Sequence, residues 1–206
     1  MKMIRAGLIL SAVVGVTVSA QAAEIKPYVG MGVGAFTITS KASGPGYGYS
    51  QKNTVMGTFA KAGVDFNDYV GFEVRAGISN NASKDWPAST NANYPNGFTW
   101  SNKVQFFSSY LFKVQERIDH WGVYVLGGAT QAKYQGRVAA TVNPSTSTVG
   151  KIAYTIGIGT DYDITDHFRV EAEYISYQLN QSTQDFTTGS TKSGFQSANL
   201  NVSYHY

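Results

Sequence analysis

Charged residues of both signs recur at every second position in parts of this chain. Glu73 and Arg75 do so within Val70–Ile78, and Arg169, Glu171 and Glu173 within Phe168–Tyr174. Lys61 and Asp161 stand in two further alternating stretches. Side chains two apart on an extended strand share a face. Opposite charges on one face can pair inside a low-dielectric interior or line a narrow polar passage. A buried charge left unpaired is very costly, so pairing is the expected state. The residues predicted on this face are Lys61, Arg75, Lys103, Lys113, Lys151 and Arg169 against Asp65, Glu73, Asp161, Glu171 and Glu173, six against five. Around residue 67, Lys61 is predicted to face Glu73; around residue 165, Asp161 is predicted to face Arg169.

Other chemistry is poorly supplied. The chain has no Cys, hence no thiol nucleophile and no Cys-based metal site. A hydrolase needs a base, usually His, beside its nucleophile. His120, His167 and His205 are all predicted at one end of the molecule, among short turns, so no enzyme activity is expected. Asp161, Asp163 and Asp166 mimic part of a calcium loop but lack the later bidentate Glu. Gly30, Gly32 and Gly34 are not followed by the helix a phosphate-binding loop requires, and read as close packing. No metal and no cofactor are expected. A net charge of +3 does not argue for nucleic acid.

The elements that must position these groups alternate with period two. In Val70–Ile78 the odd positions are charged or Gly and the even ones apolar. The same division runs through Lys151–Tyr162, Phe168–Tyr174 and Ser197–Tyr206, and more weakly through Pro27–Thr39, Thr54–Phe66, Trp100–Val114 and Trp121–Tyr134. Eight strands result. Short connections (66–69, 115–120, 163–167) alternate strictly with long ones rich in Gly, Ser, Thr and Asn (40–53, 80–99, 135–148, 178–194). Strands joined in this way run up and down. Two architectures fit: a soluble lipocalin-like barrel with its apolar face inside, or a membrane barrel with its apolar face toward lipid. Strands of ten or more residues suit a tilted span of a bilayer. Aromatics gather near both strand ends: Phe66, Tyr69, Phe112, Trp121, Tyr162, Phe168, Tyr204 and Tyr206 near the short turns, and Trp100, Tyr134, Tyr174, Tyr177 and Phe195 toward the long loops. Two aromatic girdles match two membrane interfaces. The fold class expected is therefore all-β, an eight-stranded antiparallel up-and-down transmembrane β-barrel.

Residues 1–22 read as a secretory signal peptide: Lys2 and Arg5, an apolar run from Ala6 to Val18, then Ala20-Gln21-Ala22 before a cleavage site. That leaves 23–206 as one barrel domain. Removing Lys2 and Arg5 leaves 16 − 2 = 14 basic against 13 acidic residues, a nearly neutral mature chain.

Particular segments resemble the small outer-membrane β-barrels of the OmpA/OmpX-like type. They are Pro27–Gly34, Tyr69–Arg75, Gly157–Asp166 with Phe168–Tyr174, and the closing Leu200-Asn201-Val202-Ser203-Tyr204-His205-Tyr206. The resemblance implies insertion in the outer membrane after Sec-type export, with the short turns in the periplasm. It also implies that Leu200, Val202, Tyr204 and Tyr206 form a C-terminal signal read by the barrel-assembly machinery. No appended periplasmic domain is expected after Tyr206. Outer-membrane lipid and lipopolysaccharide are the expected surroundings, met by Lys41, Lys52, Lys84, Lys133, Arg137 and Lys192, and the barrel is expected to act as a monomer.

The expected function is an integral outer-membrane barrel with a mostly plugged polar lumen, serving the envelope or binding at the surface. Tyr47, Tyr49, Trp86, Tyr94 and Phe98 in the long loops are the candidate contact residues there. A narrow porin-like channel for small solutes is the alternative. A lipid A-modifying enzyme is a more distant second.

Overall fold

The computed structural model describes residues 25–44, 47–88, 96–140, 145–177, 181–184 and 190–206. The predicted signal peptide lies outside them. Ten strands follow one another: β1 (Lys26–Gly44), β2 (Tyr47–Asp65), β3 (Val70–Ser79), β4 (Ala82–Trp86), β5 (Phe98–Ile118), β6 (Trp121–Ala139), β7 (Ser145–Asp163), β8 (Phe168–Ser176), β9 (Gln181–Gln184) and β10 (Ser190–His205). β4 continues the line of β3 along β5, and β9 continues the line of β8 along β10, so the ten strands make eight staves. All neighbours are antiparallel, and β1 pairs with β10 over Tyr28–Ser43, which closes the ring.

The period-two pattern divides each strand into two faces, and the structure shows which of them points inward. Glu73 and Arg75 on β3, Glu171 and Glu173 on β8, and Asn199, Asn201 and Ser203 on β10 are buried inside. Their alternates Ile78, Phe168, Tyr174, Leu200 and Tyr206 are exposed. The outer wall is a continuous apolar belt that includes Met31, Val33, Phe112, Val125, Ile156 and Ile158. A belt of this size facing water would be an aggregation surface; facing lipid, it is the outer wall of a membrane barrel. The soluble alternative, with the apolar face inside, is therefore overturned. No helix among the described residues is long and apolar enough to cross a membrane.

Three sequence expectations about the strands need correction. The connection between β5 and β6 is not a six-residue turn: both strands run to Ile118 and Trp121, leaving Asp119 and His120, with Asp119 at φ 55°. Segments 40–53 and 135–148 are largely paired strand, since β1–β2 and β6–β7 run on to Gly44↔Tyr47 and Val138↔Ser145, while 80–99 holds β4 and the start of β5, and 178–194 holds β9 and the start of β10. Those extensions carry few apolar residues and lack the alternation that marks a half-buried strand. The third is a bulge in β5, where the register jumps from Val104↔Tyr134 to Phe106↔Lys133. Gln105 is the extra residue, and it inverts the faces of β5 on either side. Lys103, predicted inward, therefore shares the outer face with its partner Gln135.

Candidate functional site

The lumen is filled, and it is filled in layers. At the turn end, β2, β5, β7 and β8 bring three carboxylates to three cations. Lys113 Nζ lies 2.6 Å from Asp65 Oδ1. Arg117 reaches Asp161 Oδ1 at 2.5 Å and also binds Asp163. Arg169 Nε reaches Asp163 Oδ1 at 2.7 Å and lies 3.6 Å from Asp161 Oδ1.

A second charged layer follows toward the middle. Lys61 Nζ sits 2.5 Å from Glu171 Oε2 and 3.2 Å from Glu73 Oε2. Arg75 binds Glu73 through Nε and Glu173 through both terminal nitrogens. Two cations thus serve three carboxylates, and neutral donors supply the remainder. Tyr28 donates to Glu73 at 2.9 Å, Tyr124 to Glu173 at 3.1 Å, Asn199 Nδ2 to Glu173 at 2.8 Å and Ser203 to Glu171 at 2.9 Å.

The register explains why the predicted partners changed. Lys61 lies opposite Arg75 and Gly63 opposite Glu73; Asp161 lies opposite Glu171 and Asp163 opposite Arg169. Like charges directly opposite repel, so Lys61 and Arg75 reach diagonally or across the barrel, whereas Arg169 pairs with Asp163 directly opposite and only more distantly with Asp161. Lys61 still meets Glu73, but its shorter contact is with Glu171 on β8. Asp163 and Arg117, absent from the predicted network, prove central to the turn-end layer. Arg117 sits at the same parity as Lys113, a signal present in the sequence. Lys151 has its backbone in β7, and its side chain lies outside the described residues.

Beyond the charges, toward the loop end, the lumen becomes apolar. Phe36, Phe107, Leu111, Ile175 and Tyr177 have no measurable exposure (0%). Ile38, Phe59, Leu126, Tyr134 and Phe195 are buried with them. Tyr177 stacks on Phe195 at 4.6 Å between ring centroids and approaches Phe107 at 4.9 Å; Phe36 is 5.9 Å from Phe107. The Arg75 guanidinium lies 5.0 Å from the centroid of the Phe59 ring, where the two layers meet. The mostly plugged polar lumen expected from the sequence is therefore polar only in its turn half, and Tyr134, Tyr177 and Phe195, expected in an outer girdle, lie inside. Tyr177 has the odd parity of Glu173, and Phe195 that of Asn199, so the alternation places both inside. The loop-end belt outside is instead carried by Phe106, Tyr110, Tyr154 and Tyr174. The turn-end girdle stands as expected, with Tyr69, Phe112, Trp121 and Phe168 exposed.

Close approach inside the barrel dictates small residues where β1 meets β10 and on the adjoining β2. A Cβ on Gly34 would collide with the Asn199 side chain, and one on Gly57 would sit 2.6 Å from the Phe36 ring.

The model of the outer membrane protein beta-barrel domain matches residues 8–206. The chain belongs to that family. Its fold is also that of solved outer-membrane barrels. The outer membrane protein OprG from Pseudomonas aeruginosa is 11% identical, with 88% of this chain and 95% of that one covered and a TM-score of 0.54. The outer membrane protease OmpT from Escherichia coli is 8% identical, with 88% and 97% covered and a TM-score of 0.53. Ail, the attachment invasion locus protein of Yersinia pestis, is 17% identical, with 88% and 98% covered and a TM-score of 0.47. No curated protein matches the chain significantly. Membership of the family places this barrel in the outer membrane.

The candidate surface residues fare differently. Phe98, predicted as a contact, is buried and stacks on Trp86 at 6.2 Å and 13° across the β4–β5 pairing. Lys84 Nζ lies over the Trp86 ring, 4.2 Å from its centroid. The two rings satisfy each other, which removes Phe98 from the contact surface. Tyr47 and Tyr49 have their backbone in β2, but their side chains, like all of Tyr94, lie outside the described residues.

The three histidines fall at the turn end, as expected. His120 and His167 occupy turns, and His205 closes β10. His205 Nε2 lies 3.2 Å from Ser203 Oγ. That hydroxyl already donates to Glu171, so it accepts from the imidazole and offers no proton to a base. Leu200, Val202 and Tyr206 of the C-terminal strand face the lipid side, and Tyr204 packs against Phe168 at 5.2 Å and Tyr206 at 5.1 Å.

Proposed function

We propose that this protein is a sealed, non-enzymatic outer-membrane barrel, serving the envelope as an anchored scaffold whose loop end faces outward. One observation carries the reading: the lumen is blocked twice, by paired charges in the turn half and by an aromatic layer in the loop half. A polar pore conducts through wet, charged walls; an apolar constriction excludes water and with it ions. Breaking an ion pair would therefore not suffice to open this barrel. The strand extensions beyond the belt, from β1–β2, β4–β5 and β6–β7, supply the outward surface.

The test is conductance in planar bilayers. Wild type and Glu73→Ala are expected to stay closed, whereas Phe107→Ala/Tyr177→Ala is expected to leak. Steady ion flow through the wild type would remove the sealed reading in favour of a narrow channel.

A further inference from the structure

The β5 bulge has an effect on the outside of the barrel. By inverting the strand at Gln105, it moves Lys103 to the outer face, directly opposite Gln135. The neighbours of Gln135 on that face of β6 are Lys133 and Arg137, both exposed. Diagonal neighbours on one face of an antiparallel pair lie within reach of long side chains. Three cations therefore converge on two adjacent strands, and none of them forms an ion pair among the described residues. Lys133 faces Phe106 on one side and Gly150 on the other. A Cβ on Gly150 would meet nothing within 4 Å, so the space beside Lys133 is open.

Immediately toward the membrane, the same face turns apolar with Phe106, Ile152 and Tyr154, the last 81% exposed. Cations standing directly on a lipid-facing apolar wall match an amphiphile carrying phosphate above its acyl chains. A free phosphate would leave that wall unused. The charge at the barrel's two ends points the same way. Exposed charges of the turn end are mostly acidic, Asp68, Glu116, Asp119 and Asp166 with Lys26, whereas those of the loop end are mostly basic, Lys41, Lys52, Lys84, Lys133 and Arg137 with Asp85.

We infer that Lys103, Lys133 and Arg137 form a site for the phosphorylated headgroup of a glycolipid in the outer leaflet, with its acyl chains lying on Phe106, Ile152 and Tyr154. This rests on the proposed orientation, loop end outward. Only the bulge assembles the site, because an unbulged β5 would turn Lys103 into the lumen.

The experiment titrates the purified barrel in detergent with bisphosphorylated lipid A and with the same lipid dephosphorylated, read by native mass spectrometry. Lys103→Gln/Lys133→Gln/Arg137→Gln should weaken binding of the phosphorylated lipid by about tenfold or more. Lys41→Gln/Lys52→Gln removes loop-end charge elsewhere and should change it less than about threefold. Heat-modifiable gel mobility verifies that each variant is folded. Unchanged binding by the triple variant, an equal loss in the Lys41/Lys52 variant, or equal binding of the dephosphorylated lipid overturns the site. Surface proteolysis reads orientation separately: cleavage confined to the turn end, with binding retained, overturns the orientation and leaves the lipid site standing. Conductance does not enter this readout, so a leaking barrel would not alter it.

Discussion

Arg75 and Glu173 meet across the lumen as a two-pronged pair, with Nη2 donating to Oε2 at 2.8 Å and Nη1 to Oε1. They come from β3 and β8, and neither side chain has any exposed surface. Removing Glu173 leaves the buried guanidinium with Glu73 as its one carboxylate and its two terminal nitrogens without an anionic partner, whereas replacing Arg75 and Glu173 together with apolar residues of similar volume removes that charge and leaves Glu73 with Lys61 and Tyr28. Glu173→Ala should therefore lower unfolding free energy by about 3–5 kcal/mol, and Arg75→Met/Glu173→Leu should recover most of that loss. Urea titration of Trp fluorescence in lipid vesicles measures both. A double variant as unstable as the single one would contradict the assignment.

The turn-end layer should be more forgiving. Asp163 bridges Arg117 and Arg169, but its side chain is 25% exposed. Water screens such a group. Asp163→Ala should cost about 1–2 kcal/mol, and that cost should shrink at about 1 M salt. The cost of Glu173→Ala should be insensitive to salt. The same titration at two ionic strengths separates the two layers.

The aromatic layer is packed to its limit around Phe36. A side chain added at Gly57 meets that ring, so Gly57→Val should destabilise by about 1–3 kcal/mol. Phe36→Ala alone should cost about 3–5 kcal/mol. In the Phe36→Ala background, Gly57→Val should cost little or nothing, because the space it needs has been vacated. Additive losses would mean that Gly57 is needed for a reason other than Phe36.

The bulge can be checked by chemistry. In the folded barrel, Lys103→Cys should react with a water-soluble maleimide, while Ser109→Cys should stay protected. Ser109 is fully buried and hydrogen-bonds Thr130 at 2.6 Å. The two positions have the same parity, so only the inversion at Gln105 separates them. Equal protection of both would place Lys103 in the lumen.

The C-terminal strand offers a test in cells. Leu200, Val202 and Tyr206 present side chains to the outside, where an assembly factor could read them before lipid covers them. Deleting Tyr206 should lower the folded fraction in the outer membrane while leaving refolding of the purified protein into micelles nearly unchanged. Comparison of heat-modifiable bands from membranes and from refolded samples tests this.

The strand count and the inward residues of β3, β7, β8 and β10 are legible because one face touches lipid and the other does not, which stamps period two on the chain. Where both faces are polar or both apolar, the stamp fades. Segments 40–53 and 135–148 pair as strands without alternating. Phe107 and Leu111 are as apolar as the lipid-facing Phe112, so composition alone does not reveal that they fill the lumen. Parity does reveal it for Tyr177 and Phe195. It fails for Lys103, because a single extra residue, invisible to any periodic count, resets it. The ion-pair partners were less legible still. Lys61 and Glu171 are 110 positions apart and meet only through the curvature of the closed sheet.

That separation bears on how the barrel forms. The seam strands β1 and β10 carry Gly30, Gly32 and Gly34 facing Ser203, Asn201 and Asn199, with no Lys, Arg, Asp or Glu on their lumen faces along this stretch. The mid-lumen carboxylates and their cations stand on β2, β3 and β8, on opposite sides of that seam. Until the seam shuts, Lys61 and Arg75 have no access to Glu171 and Glu173. A partly inserted sheet therefore holds unquenched charge along its inner surface, and closure extinguishes it in one event. The edge that must slide into place bears the smallest and least charged residues, so the final step meets little steric resistance and gains the whole cross-barrel network. Folding of this protein should accordingly look all-or-none, with a rate set by the meeting of the two chain ends.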